Sequence, residues 1–309
     1  MTNSPVNIIM YHYVRPLSLS RYPDIKALEY QEFQRQINYF CKNFEILGMK
    51  DLLAVIDGST TCERQAVVLT FDDGFIDHFH SVFPVLHDFG IQGCFYPPSL
   101  PVLDKKLLDV HRIHFILAAA KNHEDVLQRL QLHINDHLGS SHARASLEAA
   151  GSGKRDSPET VTIKRLLQRD LPRALRTAIC ENLFREFVSI DEKAFVEELY
   201  MNESQMRLMT ANGMHIGSHA DSHEFLGKLA PKDQEHELHR SIEMLEIVGA
   251  DPSHGWSLAY PYGDYNQTTL DLATSLGCQA AFTDQAGAAD VSPGERLEIA
   301  RFDTNDFPQ

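Results

Sequence analysis

The chain has 309 residues, 43% of them hydrophobic, enough for one large domain or two small ones with a buried core. Its 43 acidic residues outnumber 28 basic ones, for a formal charge of -15. With no Lys/Arg-rich run, this excludes a nucleic-acid-binding face, which needs clustered cations for phosphate.

The N-terminal "MTNSPVNIIMYHYV" has no basic region, long apolar stretch or small-residue cleavage site, so no signal peptide is expected. No window approaches eighteen apolar residues, and no membrane span is expected. The cysteines (41, 62, 94, 180 and 278) are five in number, scattered and without a CxxC pair. They read as reduced thiols of a cytoplasmic protein.

In chain order, the first predicted strand is "VNIIMY" (6–11), with His12 at its carboxyl end. The second, "AVVLTF" (66–71), runs into Asp72, Asp73 and Gly74. A turn or helix cap needs one aspartate there, and this chain supplies two. A helix is predicted next, in "DHFHSVFPVLHDFG", stopping at Gly90, and then a strand at 93–97.

Residues 105–200 break the rhythm. Helical stretches predominate, interrupted by the polar, glycine-rich "GSSHARASLEAAGSGKRDSPET", expected to be a mobile loop. We read this block as a helical insertion, placed to serve as a lid. The strand–helix–glycine rhythm then returns, with strands predicted at 214–218, 256–260 and 280–283. A helix follows the first of these, with Leu238, Ile242, Leu245 and Val248 on one face. Another ends at Gly277. The pattern is that of an α/β domain with a parallel sheet or barrel.

In such folds, sites gather at the carboxyl ends of strands. "HADSH" (219–223) follows the strand at 214–218. If the chain turns into a helix there, His219 and His223 share a face, a common way to hold a divalent metal. Spacing alone is weak support: among sixteen histidines chance pairs occur, such as His133 and His137. "PYG" (261–263) follows another strand, either as a simple turn or as a backbone N–H donor to an anionic intermediate. One aspartate and two histidines would give three ligands and leave coordination open for water and substrate. The second aspartate would take the water's proton.

These residues resemble the polysaccharide deacetylases, the NodB-homology or family 4 carbohydrate esterases. "TFDDG" (70–74), "HADSH" (219–223) and "YPYG" (260–263) resemble the family's first three motifs, over roughly residues 5–100 and 200–305. The resemblance implies a distorted (β/α)7-type barrel from residues 1–104 and 201–309, with 105–200 outside it. It makes Asp72 the general base, Asp73, His219 and His223 the metal ligands, and the Tyr262 N–H an oxyanion donor. The implied reaction is metal-dependent hydrolysis of an N-acetyl group on an amino sugar. Zn²⁺ is the first expectation, and Co²⁺, Ni²⁺ and Fe²⁺ accept the same ligands.

Three departures shape the reading. Ala220 replaces a Ser or Thr that braces the loop, and Ala259 replaces an Arg that orients the base. No His follows His254 to act as general acid. Arg301 is expected to replace the missing Arg. "MYHYV" resembles the first strand of circularly permuted members, which makes His12 the expected acid. The expected substrate is a small or carrier-linked N-acetyl amino sugar. A deformylase, a cyclic-amide hydrolase and a non-catalytic glycan-binding protein are the alternatives.

Overall fold

The computed structural model describes residues 5–138, 156–289 and 291–308. Most of the glycine-rich stretch singled out above, residues 139–155, lies outside them. The chain divides into two compact units, Met1–Pro16 with Ala27–Lys106 and Glu197–Gln309, and Leu17–Lys26 with Leu107–Val196.

The first unit is a parallel barrel. Its strands, in chain order, are β1 (Val6–Tyr11), β2 (Val14–Arg15), β3 (Leu28–Glu29), β4 (Glu45–Ile46), β5 (Ala66–Asp72), β6 (Gly93–Tyr96), β7 (His215–Ile216), β8 (Trp256–Ala259), β9 (Cys278–Phe282) and β10 (Phe302–Asp303). Strands β10, β1, β5, β6 and β7 pair in that order, all parallel. Ser218 then bridges to Leu258 of β8, β8 pairs with β9, and Phe282 bridges to Ile299 just before β10. Seven staves thus close the ring of a distorted (β/α)7 barrel. The distortion shows in single-bridge contacts and in a register shift at Trp256/Ser257. Strands β2 and β3 pair outside the ring, and β4 pairs with the start of β5.

The strands form where the sequence carries unbroken apolar runs, because both faces of a parallel barrel strand are covered. All of Ala66–Asp72 is buried. Side chains alternate across a strand. Val67, Leu69 and Phe71 join a core with Phe33 and Phe40 of helix α1 (Tyr30–Asn43). Val6, Ile8, Ala66, Val68, Cys94, Tyr96, Ala280 and Phe282 form a second core with Leu52 and Val55 of α2 (Met49–Ile56). Each such fully buried Leu, Val or Phe contributes about 1.5–3 kcal/mol. Continuing the second core's parity carries 6, 8 and 10 on to His12, and 66, 68 and 70 on to Asp72. The alternation that fills the barrel therefore also sets the side of β5 on which Asp72 lies, and places position 12 just past the end of β1.

The helix after Asp73 opens with a π-turn (His78–Val82) before α3 (Phe83–Phe89). It ends at Gly90 with φ +65°, a left-handed terminator. Next come α4 (Ser99–Leu103), α5 (Asp109–Ala119), α6 (His123–Leu138), α7 (Pro158–Arg165), α8 (Arg173–Phe187), α9 (Glu192–Leu199), α10 (Glu203–Ala211), α11 (Pro231–Ile247) and α12 (Gln267–Ser275). On α11, Leu238 and Leu245 are buried and Ile242 is half-buried, and Val248, which caps the helix, is buried too. Gly277, just past α12, has φ +84°.

The second unit is helical among the described residues. Ser157 caps α7, with Pro158 at its first position. Buried Arg112 on α5 pairs with Asp109 at 2.6 Å and Glu192 at 2.5 Å.

Candidate metal-dependent active site

Asp72 is the last residue of β5. Both its carboxylate oxygens face Arg301, with Nη1 donating to Oδ1 at 2.9 Å and Nη2 lying 2.7 Å from Oδ2. Asp72 and Arg301 are 1% and 2% exposed, so this is a buried, two-pronged ion pair rather than a surface one. The guanidinium is fixed on its other edge, where Nε donates to the Thr283 carbonyl at 2.8 Å and Nη1 also reaches Thr70 Oγ1 at 3.2 Å. Burial pushes the Asp72 carboxyl up, but Arg301, with smaller help from His219 and His12, outweighs it. The net direction is below the ordinary carboxylate value.

Asp73 breaks the strand alternation. Its φ is +76°, left-handed, while its N–H donates to the Tyr96 carbonyl at 3.0 Å. Aspartate tolerates that conformation better than most residues. Gly74 follows at φ +66°, and a Cβ there would lie 2.6 Å from Cβ of Pro97, so only glycine fits. This turn separates the directions of two adjacent carboxylates.

His219 and His223 do not sit on a helix, as the four-residue spacing suggested. They lie in a turn after β7, with Ala220 at φ +55° and His223 at φ +57°. The turn still brings the two rings to 4.9 Å, nearly perpendicular. His219 Nδ1 donates to the Ala259 carbonyl at 2.7 Å, which leaves the Nε2 lone pair directed to the site. Nε2 of His219 and of His223 lie 3.5 and 3.3 Å from Asp73 Oδ1. Burial lowers the His219 imidazolium, but the Asp73 and Asp72 carboxylates carry it to a net rise.

The residues fit a divalent cation. One donor atom from each of Asp73, His219 and His223 lies within 4.8 Å of the others. The nitrogen–oxygen separations are long for hydrogen bonds. They match the edge of a tetrahedron with ~2.0–2.1 Å metal bonds, roughly 3.3–3.4 Å.

His12 follows β1 and is half-buried. Its carbonyl accepts from His78 Nε2 at 2.9 Å. Tyr262, at φ +57°, lies in the Pro261–Gly263 turn after β8. Its ring stacks on Phe225 at 4.0 Å and meets His223 edge-on at 4.6 Å. His12, Asp72, Asp73, His219, His223 and Tyr262, and with them Arg301, all belong to the barrel unit. His215 is not part of that cluster; its Nε2 meets Ser257 Oγ at 2.7 Å. Thr70, Thr283 and His78 were not singled out from the sequence. Thr70 was legible within "TFDDG", whereas the Thr283 carbonyl and the π-turn bearing His78 left no signal.

Residues 188–281 match the family model described as polysaccharide deacetylase. The resemblance to the polysaccharide deacetylases holds. The matched stretch contains the second and third motifs. A Bacillus subtilis protein, YxkH, itself named as a polysaccharide deacetylase, is 30% identical over 102 residues. That match spans 33% of this chain and 36% of the relative's length. Among solved structures, the Streptococcus pyogenes deacetylase PplD, in complex with acetate, superposes with a TM-score of 0.60 at 17% identity, over 98% of this chain and 93% of that one. IcaB from Ammonifex degensii gives 0.58 at 18% identity, over 97% and 92%. The BpsB deacetylase domain of Bordetella bronchiseptica gives 0.55 at 16% identity, over 98% and 97%. These structures share the fold.

Proposed function

We propose that the protein is a metal-dependent hydrolase that removes an N-acetyl group from an amino sugar, with the barrel of residues 1–104 and 201–309 carrying the chemistry. The observation that carries this reading is the convergence of Asp73, His219 and His223 beside an Asp72 held ionised by Arg301. The family match and the deacetylase fold support the same class of reaction.

Asp73, His219 and His223 would hold the cation, Zn²⁺ before Co²⁺, Ni²⁺ or Fe²⁺. A divalent ion there supplies Lewis acidity, which brings water towards ionisation near neutral pH. Asp72 accepts the proton of the attacking water. It is suited to this because Arg301 keeps it charged and fixes both its oxygens, so it neither rotates nor neutralises on burial. The Tyr262 N–H, in the turn facing the histidines, is the proposed donor to the tetrahedral oxyanion. His12 is the proposed acid that delivers a proton to the departing amine. The carbon–nitrogen bond breaks, water supplies the new oxygen, and acetate and the free amine are the products.

No helix among the described residues is long and apolar enough to cross a membrane. A small or carrier-linked N-acetyl amino sugar, met in the cytoplasm, remains the proposed substrate. The test is acetate release from free, nucleotide-linked and lipid-linked N-acetylhexosamines by zinc-loaded protein. Acetate from one class identifies the substrate. Formate from the N-formyl analogues alone would overturn the acyl assignment.

A further inference from the structure

The turn that carries the two histidines is an awkward structure to hold. Ala220 and His223 both take left-handed backbone angles, which are uncommon for residues other than glycine and most of all for alanine, with its Cβ and no polar side chain. Position 220 also lacks the hydroxyl that the motif offers for bracing. What holds the turn lies on α11. Both oxygens of Glu237, 3% exposed, are aimed at the turn's main chain. Oε2 accepts from the N–H of Asp221 at 2.9 Å and of Ser222 at 2.8 Å, and Oε1 accepts from the Ser222 hydroxyl. One helical turn on, Ser241 Oγ accepts from Ser218 Oγ at 2.7 Å, and Ser218 Oγ accepts from the Ala220 N–H at 3.1 Å. Residues four apart on a helix share a face, so α11 presents both contacts together.

We propose that Glu237 is a positioning residue of the site, its carboxylate holding the 220–223 turn so that the His219 and His223 imidazoles converge on Asp73. This rests on the metal-binding reading above. The chemistry favours a carboxylate at 237. Two N–H donors and a hydroxyl need acceptors, and an ionised carboxylate is acceptor only, whereas a glutamine would turn an NH₂ towards one of them. Charge-assisted bonds to backbone N–H are stronger than neutral ones, so the turn is held against its own conformational preference. The effect on the metal passes through the ligands' orientation, since Glu237 touches neither imidazole in the contacts above.

The test compares wild type, Glu237→Gln and Ser222→Ala. Zn²⁺ affinity is measured by competition with a chromophoric chelator, and the absorption spectrum is recorded with Co²⁺. Thermal unfolding of the metal-free proteins is measured alongside. Glu237→Gln is expected to weaken Zn²⁺ binding by about 10–100-fold and to alter the Co²⁺ bands. Ser222→Ala removes one of three contacts and is expected to weaken binding by a smaller factor, with metal-free unfolding close to wild type. If Glu237→Gln fails to fold, Ser222→Ala decides. Zn²⁺ affinity and Co²⁺ spectrum both unchanged in the folded variants would overturn the role of Glu237 alone. A wild type that takes up no Zn²⁺ would overturn the metal-binding reading and this inference with it.

Discussion

His219 and His223 are four residues apart, and so are His133 and His137. The second pair lies on α6, where His133 meets Glu186 at 3.1 Å and His137 Nδ1 meets its neighbour's carbonyl at 2.8 Å, both in exposed settings. The first pair lies in a braced turn at a strand end, with Asp73 between the rings and Ala259 fixing one tautomer. Identical spacing gives a surface pair in one place and a convergent cluster in the other. What separates them is the carboxyl end of a barrel strand, where a third donor arrives from another strand. The left-handed turn does what a helix face would have done, at the cost of needing external bracing.

The largest effect expected is at Asp73. Asp73→Ala should abolish stoichiometric zinc and reduce acetate release to background, as read by metal analysis and product assay. Retention of both would erase the distinction between the pairs. Next is Asp72→Asn, which keeps the shape but removes the proposed base. Zinc should stay, and turnover should fall by roughly 10²–10⁴-fold. Arg301→Ala leaves Asp72 buried without its counter-charge. It should cost about 3–5 kcal/mol in denaturant unfolding, and much of the activity. Unchanged stability would mean that the ion pair is not buried in solution.

A pH test concerns the barrel's other end. Burial pushes His215 from the ordinary 6.5 down to about 4. The unfolded chain takes up a proton near pH 6.5 and the folded chain only near 4, so stability is lost as pH falls through that window and is unaffected above it. The loss from this residue is at most roughly 3 kcal/mol. His215→Gln should flatten that slope, and an unaltered slope would contradict the burial. The smallest effect is expected from the double variant His133→Ala/His137→Ala, with zinc content unchanged and stability within about 0.5 kcal/mol. Loss of zinc in that variant would break the comparison.

Much of the barrel was legible because buried parallel strands are written as apolar runs. "AVVLTF" and "VNIIMY" form β5 and β1 almost residue for residue. The closing stave was not legible, because Phe302–Asp303 is two residues long and Ile299 joins the ring by a single bridge. At the site, the residue types were readable and the backbone that aims them was not. Left-handed angles at Asp73, Ala220 and His223 leave no mark when the residues are not glycine. Arg301 could be named as a candidate from its charge, but its pairing with Asp72 spans 229 residues and depends on ring closure. Glu237 was hidden for a related reason. It sits on a helix whose apolar positions were read, and its partners are main-chain groups, which no sequence pattern announces.

In the proposed reaction the adjacent aspartates divide the labour, Asp73 for the cation and Asp72 for the proton. The most direct test measures zinc per chain and acetate release together, on wild type, Asp72→Asn and Asp73→Ala, with the best N-acetyl amino sugar. Zinc with turnover is expected in wild type, zinc without turnover in Asp72→Asn, and neither in Asp73→Ala. Wild-type turnover by Asp72→Asn, or full zinc in Asp73→Ala, would contradict that division.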